Sequence, residues 1–166
     1  MTLSCALLNA DRRLATEVLA AWYGEPVTVS LVERVVRRAD DRTSVPTVFL
    51  PARSWMRDAH ARLAAPAAAP LLHRLVRIST PRQGMIGRAY AAVALDRITP
   101  AERHMLTETD VSLGRSLRPN GVRRSVLNVR QARSSGDEVV TVRAILRRGP
   151  VPLAYVAEEF DDTSPG

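Results

Sequence analysis

The last third of the chain most constrains the fold, because it contains three strand-like segments in succession. These segments are VRRSVLNVRQA, EVVTVRAILRR and PLAYVAEEF, and each is rich in residue types that favour strands. The turns RSSGD and RGPV between them are too short for the crossover that two parallel neighbours need. The sequence therefore predicts three antiparallel strands in one sheet.

Earlier segments predict strands that would extend this sheet. In VTVSLVERVVRR, alternation places Val27, Val29, Leu31 and Val35 on one face. The segments LLHRLVRIS and MIGRAYAAVAL, joined by the turn TPRQG, predict a hairpin. A shorter strand is predicted in VPTVFLP, between two prolines.

Helices are predicted before and between these strands, over residues 10–23 and 54–63 and in ITPAERHMLTETD. The last of these begins with a capping box, in which Thr99 caps the helix and Glu102 reaches back to it. The fold class is therefore α+β, a single antiparallel sheet of about six strands with helices packed on one face. We expect one domain over residues 1–166, ending in a short flexible tail.

Composition limits the classes of partner. The 166 residues carry a net charge of +7, and every basic residue is an arginine. These arginines are spread along the chain, aromatic residues for base stacking are few, and no DNA- or RNA-binding motif is present. We therefore expect no nucleic-acid partner, whereas a positive field would attract a small anionic ligand.

Other sequence features suggest a cytoplasmic monomer. No apolar run approaches the ~20 residues of a membrane helix, and the N-terminus lacks the basic and apolar regions of a signal peptide. Cys5 is the single cysteine, so no internal disulfide forms. His60, His73 and His104 have no partner at ligand spacing. We expect neither a metal nor a cofactor.

Arg74 is the most unusual residue of the predicted hairpin. It alternates with Leu72, Val76 and Ile78 on one apolar strand face, and burying an unpaired guanidinium is costly. Its partner could be a glutamate of the same chain, a phosphate or a small anionic ligand. In the closing strand PLAYVAEEF, alternation leaves open which of the two adjacent glutamates faces inward. Arg74 and that glutamate would form either a structural ion pair or the two ends of a pocket.

Five segments resemble the chorismate lyase family, in the same order along nearly the whole chain. They are LLNADRRLATEVLAAWYGEPV, LLHRLVRI, MIGRAYAAVALDRI, TETDVSLGRSL and PLAYVAEEF. The resemblance implies an antiparallel sheet with a buried ligand pocket. It also implies a cofactor-free enzyme that eliminates pyruvate from chorismate to give 4-hydroxybenzoate, which makes these compounds the expected partners.

The resemblance also implies roles for particular residues. Arg74 would grip the ring carboxylate, and Glu158 would lie near the 4-hydroxyl and assist loss of the C4 proton, so these two residues are the predicted catalytic pair. The backbone amides of Leu113 and Ala15 would help to bind the substrate, with Leu14 as the alternative to Ala15. Arg88 matches a basic family position, although an exposed strand arginine fits its pattern equally well.

A second interpretation is a domain that binds a small aromatic acid without catalysis. The effector domains of a bacterial family of transcription regulators share the chorismate lyase fold. They normally follow a winged-helix DNA-binding domain, and the fold pattern here starts at the beginning of the sequence. On this ground the sequence favours the enzyme.

Overall fold

The computed structural model describes residues 2–8, 15–38, 52–134 and 137–161. Its helices are α1 (Leu3–Leu8), α2 (Ala15–Tyr23), α3 (Ala52–Arg62), α4 (Pro100–Glu108) and α5 (Leu113–Leu117). Its strands are β1 (Thr28–Arg37), β2 (Leu71–Thr80), β3 (Gly84–Ala94), β4 (Val122–Ser134), β5 (Asp137–Arg148) and β6 (Val151–Asp161). Single 3-10 turns follow β3 (Leu95–Arg97) and α5 (Arg118–Asn120).

All six strands form one antiparallel sheet in the order β1-β2-β3-β6-β5-β4. The predicted α+β class with one antiparallel sheet is therefore confirmed. The predicted hairpin is formed by β2 and β3, and α4 begins with the predicted capping box of Thr99 and Glu102. The predicted strand VPTVFLP and the start of the first predicted helix lie outside the described residues.

Helices cover both faces of the sheet, so the prediction that they pack on one face is wrong in that detail. The inner face carries Arg74, and at one end of it Ile78, Val140 and Phe160 share a core with α1 and α2. At the other end Leu72 shares a core with α4 and α5. The outer face packs against α3. The cavity described below lies on the inner face, between the two inner cores. None of the described helices is long and apolar enough to cross a membrane.

A bulge in β1 changes which residues face inward. Leu31 pairs with Val76 on the inner face, and the register then shifts between Leu31 and Glu33. An extra residue in one strand reverses the alternation beyond it. Val35 consequently pairs with His73 on the outer face, so the prediction that it shares a face with Leu31 is wrong. The same shift brings Arg34 opposite Arg74.

Beneath α3, the outer face buries two histidines. His60, on α3, donates from Nδ1 to the Pro66 carbonyl at 3.0 Å, and His73 Nδ1 accepts from the Tyr90 hydroxyl. Burial, helped by the charges of His60 and Arg37, lowers the pKa of His73 to about 4. Burial also raises the pKa of Tyr90. The Tyr90 phenol therefore stays protonated, and its hydroxyl donates a hydrogen bond to the neutral imidazole of His73.

Candidate functional site

A cavity of about 100 Å³ lies between the inner face of the sheet and the helices. Its walls are mostly apolar, and three charged side chains line it: Arg74, Arg124 and Glu158. Leu113 and Ala15 also line it. The structure thus brings the four residues predicted as a site to one cavity, and adds Arg124. Leu14, the alternative to Ala15, lies outside the described residues.

Arg74 is only 2% exposed, and one edge of its guanidinium faces no acceptor of the described residues. Nη1 donates to the Val111 carbonyl at 2.9 Å, while Nε and Nη2 have no hydrogen-bond partner among the described residues. These two nitrogens lie on the same side of the guanidinium, where their N–H groups can hold a carboxylate by two parallel bonds. Arg74 therefore presents an unoccupied two-pronged donor.

Neighbouring charges make the Arg74 end of the cavity electropositive. Burial and, after it, the charge of Arg34 lower the pKa of Arg74, and Asp110 partly opposes them. An arginine keeps its proton even so, because its ordinary pKa is far above neutrality. Its positive charge is thus buried without an ion pair among the side chains that the structure places.

The segment that covers Arg74 is held by two arginines of the sheet. Arg34 donates to the carbonyl of Thr109 at 2.8 Å and to that of Leu106 at 3.5 Å, and Arg74 donates to Val111. The main chain between α4 and α5 is thereby fixed against β1 and β2. Because α5 begins at Leu113, this anchoring places the start of α5 at the cavity.

Glu158 faces inward and Glu159 outward, which the alternation of β6 left open. Glu158 lies opposite Ala89 on β3 and Val142 on β5, whereas Glu159 pairs with the exposed Arg88 at 2.7 Å. The alternative that Arg88 is an exposed strand residue is therefore the one the structure supports. Glu158 and Arg74 lie in the same cavity and make no contact with each other.

Arg124 is the functional candidate that the sequence prediction missed. Its Nη2 donates to Glu158 Oε2 at 2.5 Å, and both side chains are buried. Its Nη1 is buried with no hydrogen-bond partner in the described part of the chain. A signal was present in the sequence, because Val122, Arg124 and Val126 alternate as apolar, basic and apolar, the pattern that singled out Arg74.

Comparison of the fold with solved structures gives three informative neighbours. The effector domain of PhnF from Mycobacterium smegmatis matches with a TM-score of 0.61 and 13% identity, covering 89% of this chain and 88% of that one. A possible transcriptional regulator, YydK from Bacillus subtilis, matches with a TM-score of 0.55 and 12% identity over 82% of this chain. A protein described as a GntR-family transcriptional regulator matches with a TM-score of 0.51 and 9% identity over 85% of it.

These likenesses establish the fold, which is that of effector domains related to the chorismate lyase fold. The chain spans 58% and 57% of the length of the second and third neighbours. No family model matches the sequence. No curated protein matches it either.

The prediction of a chorismate–pyruvate lyase is wrong in its claim of an enzyme. The neighbours that share the fold are transcriptional regulators or a domain of one. Glu158, the predicted catalytic carboxylate, is held in an ion pair with Arg124. Its Oε2 therefore already accepts a charge-assisted hydrogen bond from the protein.

Proposed function

We propose that this chain is a non-catalytic domain that binds a small aromatic carboxylic acid as its anion. The observation that carries the proposal is the Nε and Nη2 edge of Arg74, which has no hydrogen-bond partner among the described residues and is buried at 2% exposure in an apolar cavity. A buried charge without a partner is strongly unfavourable. A ligand carboxylate would supply the missing partner and gain two charge-assisted hydrogen bonds.

The floor of the cavity suits a flat apolar ring. Ala91 lies opposite Arg74 across β2 and β3, and Ala89 lies opposite Glu158 across β3 and β6. These two small side chains, together with Val76 and Val156, leave an apolar surface between the charged ends. A ring placed on this surface would be sandwiched by apolar side chains while its carboxylate reaches Arg74.

The remaining site residues have supporting roles in this proposal. Leu113 and Ala15 line the cavity, and their backbone amides would add donors to the bound anion. Glu158 would lie at the far end, next to Arg124. The fold likeness to the PhnF effector domain supports a sensing role. In that role, binding of the acid would change the activity of a regulator, and the acid itself would stay chemically unchanged.

Calorimetric titration with benzoate tests this proposal, with benzamide as the uncharged ligand of the same shape. We expect saturable binding of benzoate and at least about tenfold weaker binding of benzamide, because only the anion forms two charge-assisted bonds. Arg74→Met should weaken benzoate binding by about 2 kcal/mol. Arg88→Met, which changes an exposed arginine on the outer face, is the matched control and should leave the affinity unchanged.

Two results would contradict the proposal. Equal affinity for benzoate and benzamide would show that the ligand's charge is not recognised. Unchanged benzoate affinity in Arg74→Met would show that Arg74 does not bind the carboxylate. Incubation with chorismate separates binding from catalysis. We expect pyruvate to appear at the rate of the protein-free solution.

A further inference from the structure

A second buried donor at the cavity has no partner in the described part of the chain. Arg124 is 7% exposed, lines the same cavity as Arg74, and its Nη1 has no hydrogen-bond partner among the residues described. It projects from β4, four positions away from β2 in the strand order. Arg74 and Arg124 therefore reach the cavity on the inner face from strands near opposite edges of the sheet.

The two arginines differ in charge balance. Glu158 Oε2 lies 2.5 Å from Arg124 Nη2, so the positive charge of Arg124 is already neutralised. Among the residues that the structure describes, Arg74 bonds only to a neutral carbonyl, that of Val111. A negative group at Arg74 would thus be compensated, whereas a negative group at Arg124 Nη1 would stand beside the Glu158 carboxylate and be repelled. The two ends of the cavity suit groups of different charge.

We propose that Arg124 determines specificity at the far end of the ligand, by donating from Nη1 to an uncharged oxygen acceptor. The ligand class is then an aromatic monocarboxylate whose ring carries, opposite the carboxylate, a carbonyl, ether or hydroxyl oxygen. This inference rests on the proposed function and deepens it. Glu158 acts here as a positioning residue, since its ion pair fixes the Arg124 guanidinium with Nη1 left over.

Three benzoates of similar size test the inference by calorimetry on the full chain at pH 7. They are 4-methylbenzoate, 4-formylbenzoate and benzene-1,4-dicarboxylate. We expect 4-formylbenzoate to bind at least about tenfold more tightly than 4-methylbenzoate, because its carbonyl satisfies a buried N–H that the methyl group leaves unpaired. The dicarboxylate should bind more weakly than 4-formylbenzoate, because its second charge faces Glu158.

The matched variant is the double substitution Arg124→Met with Glu158→Met, which removes both charges at once and adds no new hydrogen-bond donor. A single Arg124→Met change would leave the Glu158 carboxylate buried and unpaired, and so endanger folding. In the double variant we expect the preference for 4-formylbenzoate over 4-methylbenzoate to fall below about twofold, because the N–H group that would donate to the formyl oxygen is gone.

The outcomes separate this inference from the proposed function. If the wild type binds all three benzoates without a preference for the formyl group, or the double variant keeps that preference, Arg124 has no specificity role and the anion site at Arg74 stands. If the dicarboxylate binds most tightly, the far end takes an anion and the inference is wrong. If none of the three binds, both proposals fail. The wild-type comparison decides even if the double variant does not fold.

Discussion

Arg74 and Glu158 lie in one cavity and are bonded to different partners. Arg74 donates to the Val111 carbonyl, and Glu158 accepts from Arg124. Between them, Ala91 and Ala89 occupy the opposing positions of β3. Among the described residues, two positive charges and one negative charge therefore line the cavity. The excess positive charge belongs to Arg74, and its consequences for stability and binding are measurable.

Replacing Arg74 should stabilise the ligand-free protein while weakening binding. In Arg74→Met a buried charge with two unsatisfied N–H groups becomes an apolar side chain of similar length, so we expect a gain of about 1 kcal/mol in the free energy of unfolding. Urea denaturation without ligand measures it. Arg88→Met, at the exposed pair with Glu159, should change stability by less than about 0.5 kcal/mol. A loss of stability in Arg74→Met would show that its bond to Val111 outweighs the buried charge.

The Arg124–Glu158 pair should behave as a unit in a double-mutant cycle. Arg124→Met alone leaves a buried carboxylate unpaired and should cost about 3 kcal/mol or more. Adding Glu158→Gln removes that charge, so the double variant should recover most of the loss. Urea denaturation of the four proteins gives the coupling energy. Additive effects of the two substitutions would mean that the pair is screened by water, contrary to its burial.

The fold was largely predictable because its strands carry long, regular alternation and are joined by short turns. The β2–β3 hairpin and the α4 capping box follow from local residue patterns. Local alternation failed at Val35, since the β1 bulge depends on pairing with β2. It also could not choose between Glu158 and Glu159, whose faces are equally apolar. That choice depends on tertiary packing.

The site was predictable only in part, for a related reason. A single arginine on an apolar face indicates a buried cation, and Arg74 was found in this way. Arg124 shows the same pattern in β4. Its partner Glu158 lies 34 residues further along the chain, on β6, and β5 lies between the two strands. A local residue pattern does not predict such a long-range pair. The enzyme prediction failed because a shared fold specifies a cavity and does not specify catalysis.

Gly87 should tolerate no side chain, because β3 and β6 approach closely at this point. A Cβ added there would lie 2.3 Å from the Glu159 carbonyl oxygen and 2.7 Å from Phe160 Cδ1. We expect Gly87→Ala to destabilise the protein by about 2 kcal/mol, since neither the strand backbone nor the buried ring can move freely. Met85→Ala, at an exposed position of the same strand, is the control and should have little effect. Equal stabilities of the two variants would contradict this close approach.

Acid should destabilise the protein through His73, which is buried beneath α3. Its pKa is about 4 in the folded chain and about 6.5 when unfolded. Between these values the unfolded chain binds a proton that the folded chain does not, so the free energy of unfolding falls as pH falls from 6.5 towards 4. Most carboxylates stay ionised between pH 6.5 and 5. Over this range, the titration of His73 should lower the free energy of unfolding by about 1.5 kcal/mol.

Urea denaturation at pH 6.5, 6.0, 5.5 and 5.0 measures this loss, and His73→Leu with Tyr90→Phe is the informative variant. Substituting both residues removes the imidazole together with the hydroxyl bonded to it, so the hydroxyl is not left without its histidine partner. The variant should lose much less stability than the wild type over this range. His104→Leu, at an exposed position of α4, should keep the wild-type pH dependence. If the double variant keeps it too, the acid sensitivity arises from groups other than His73.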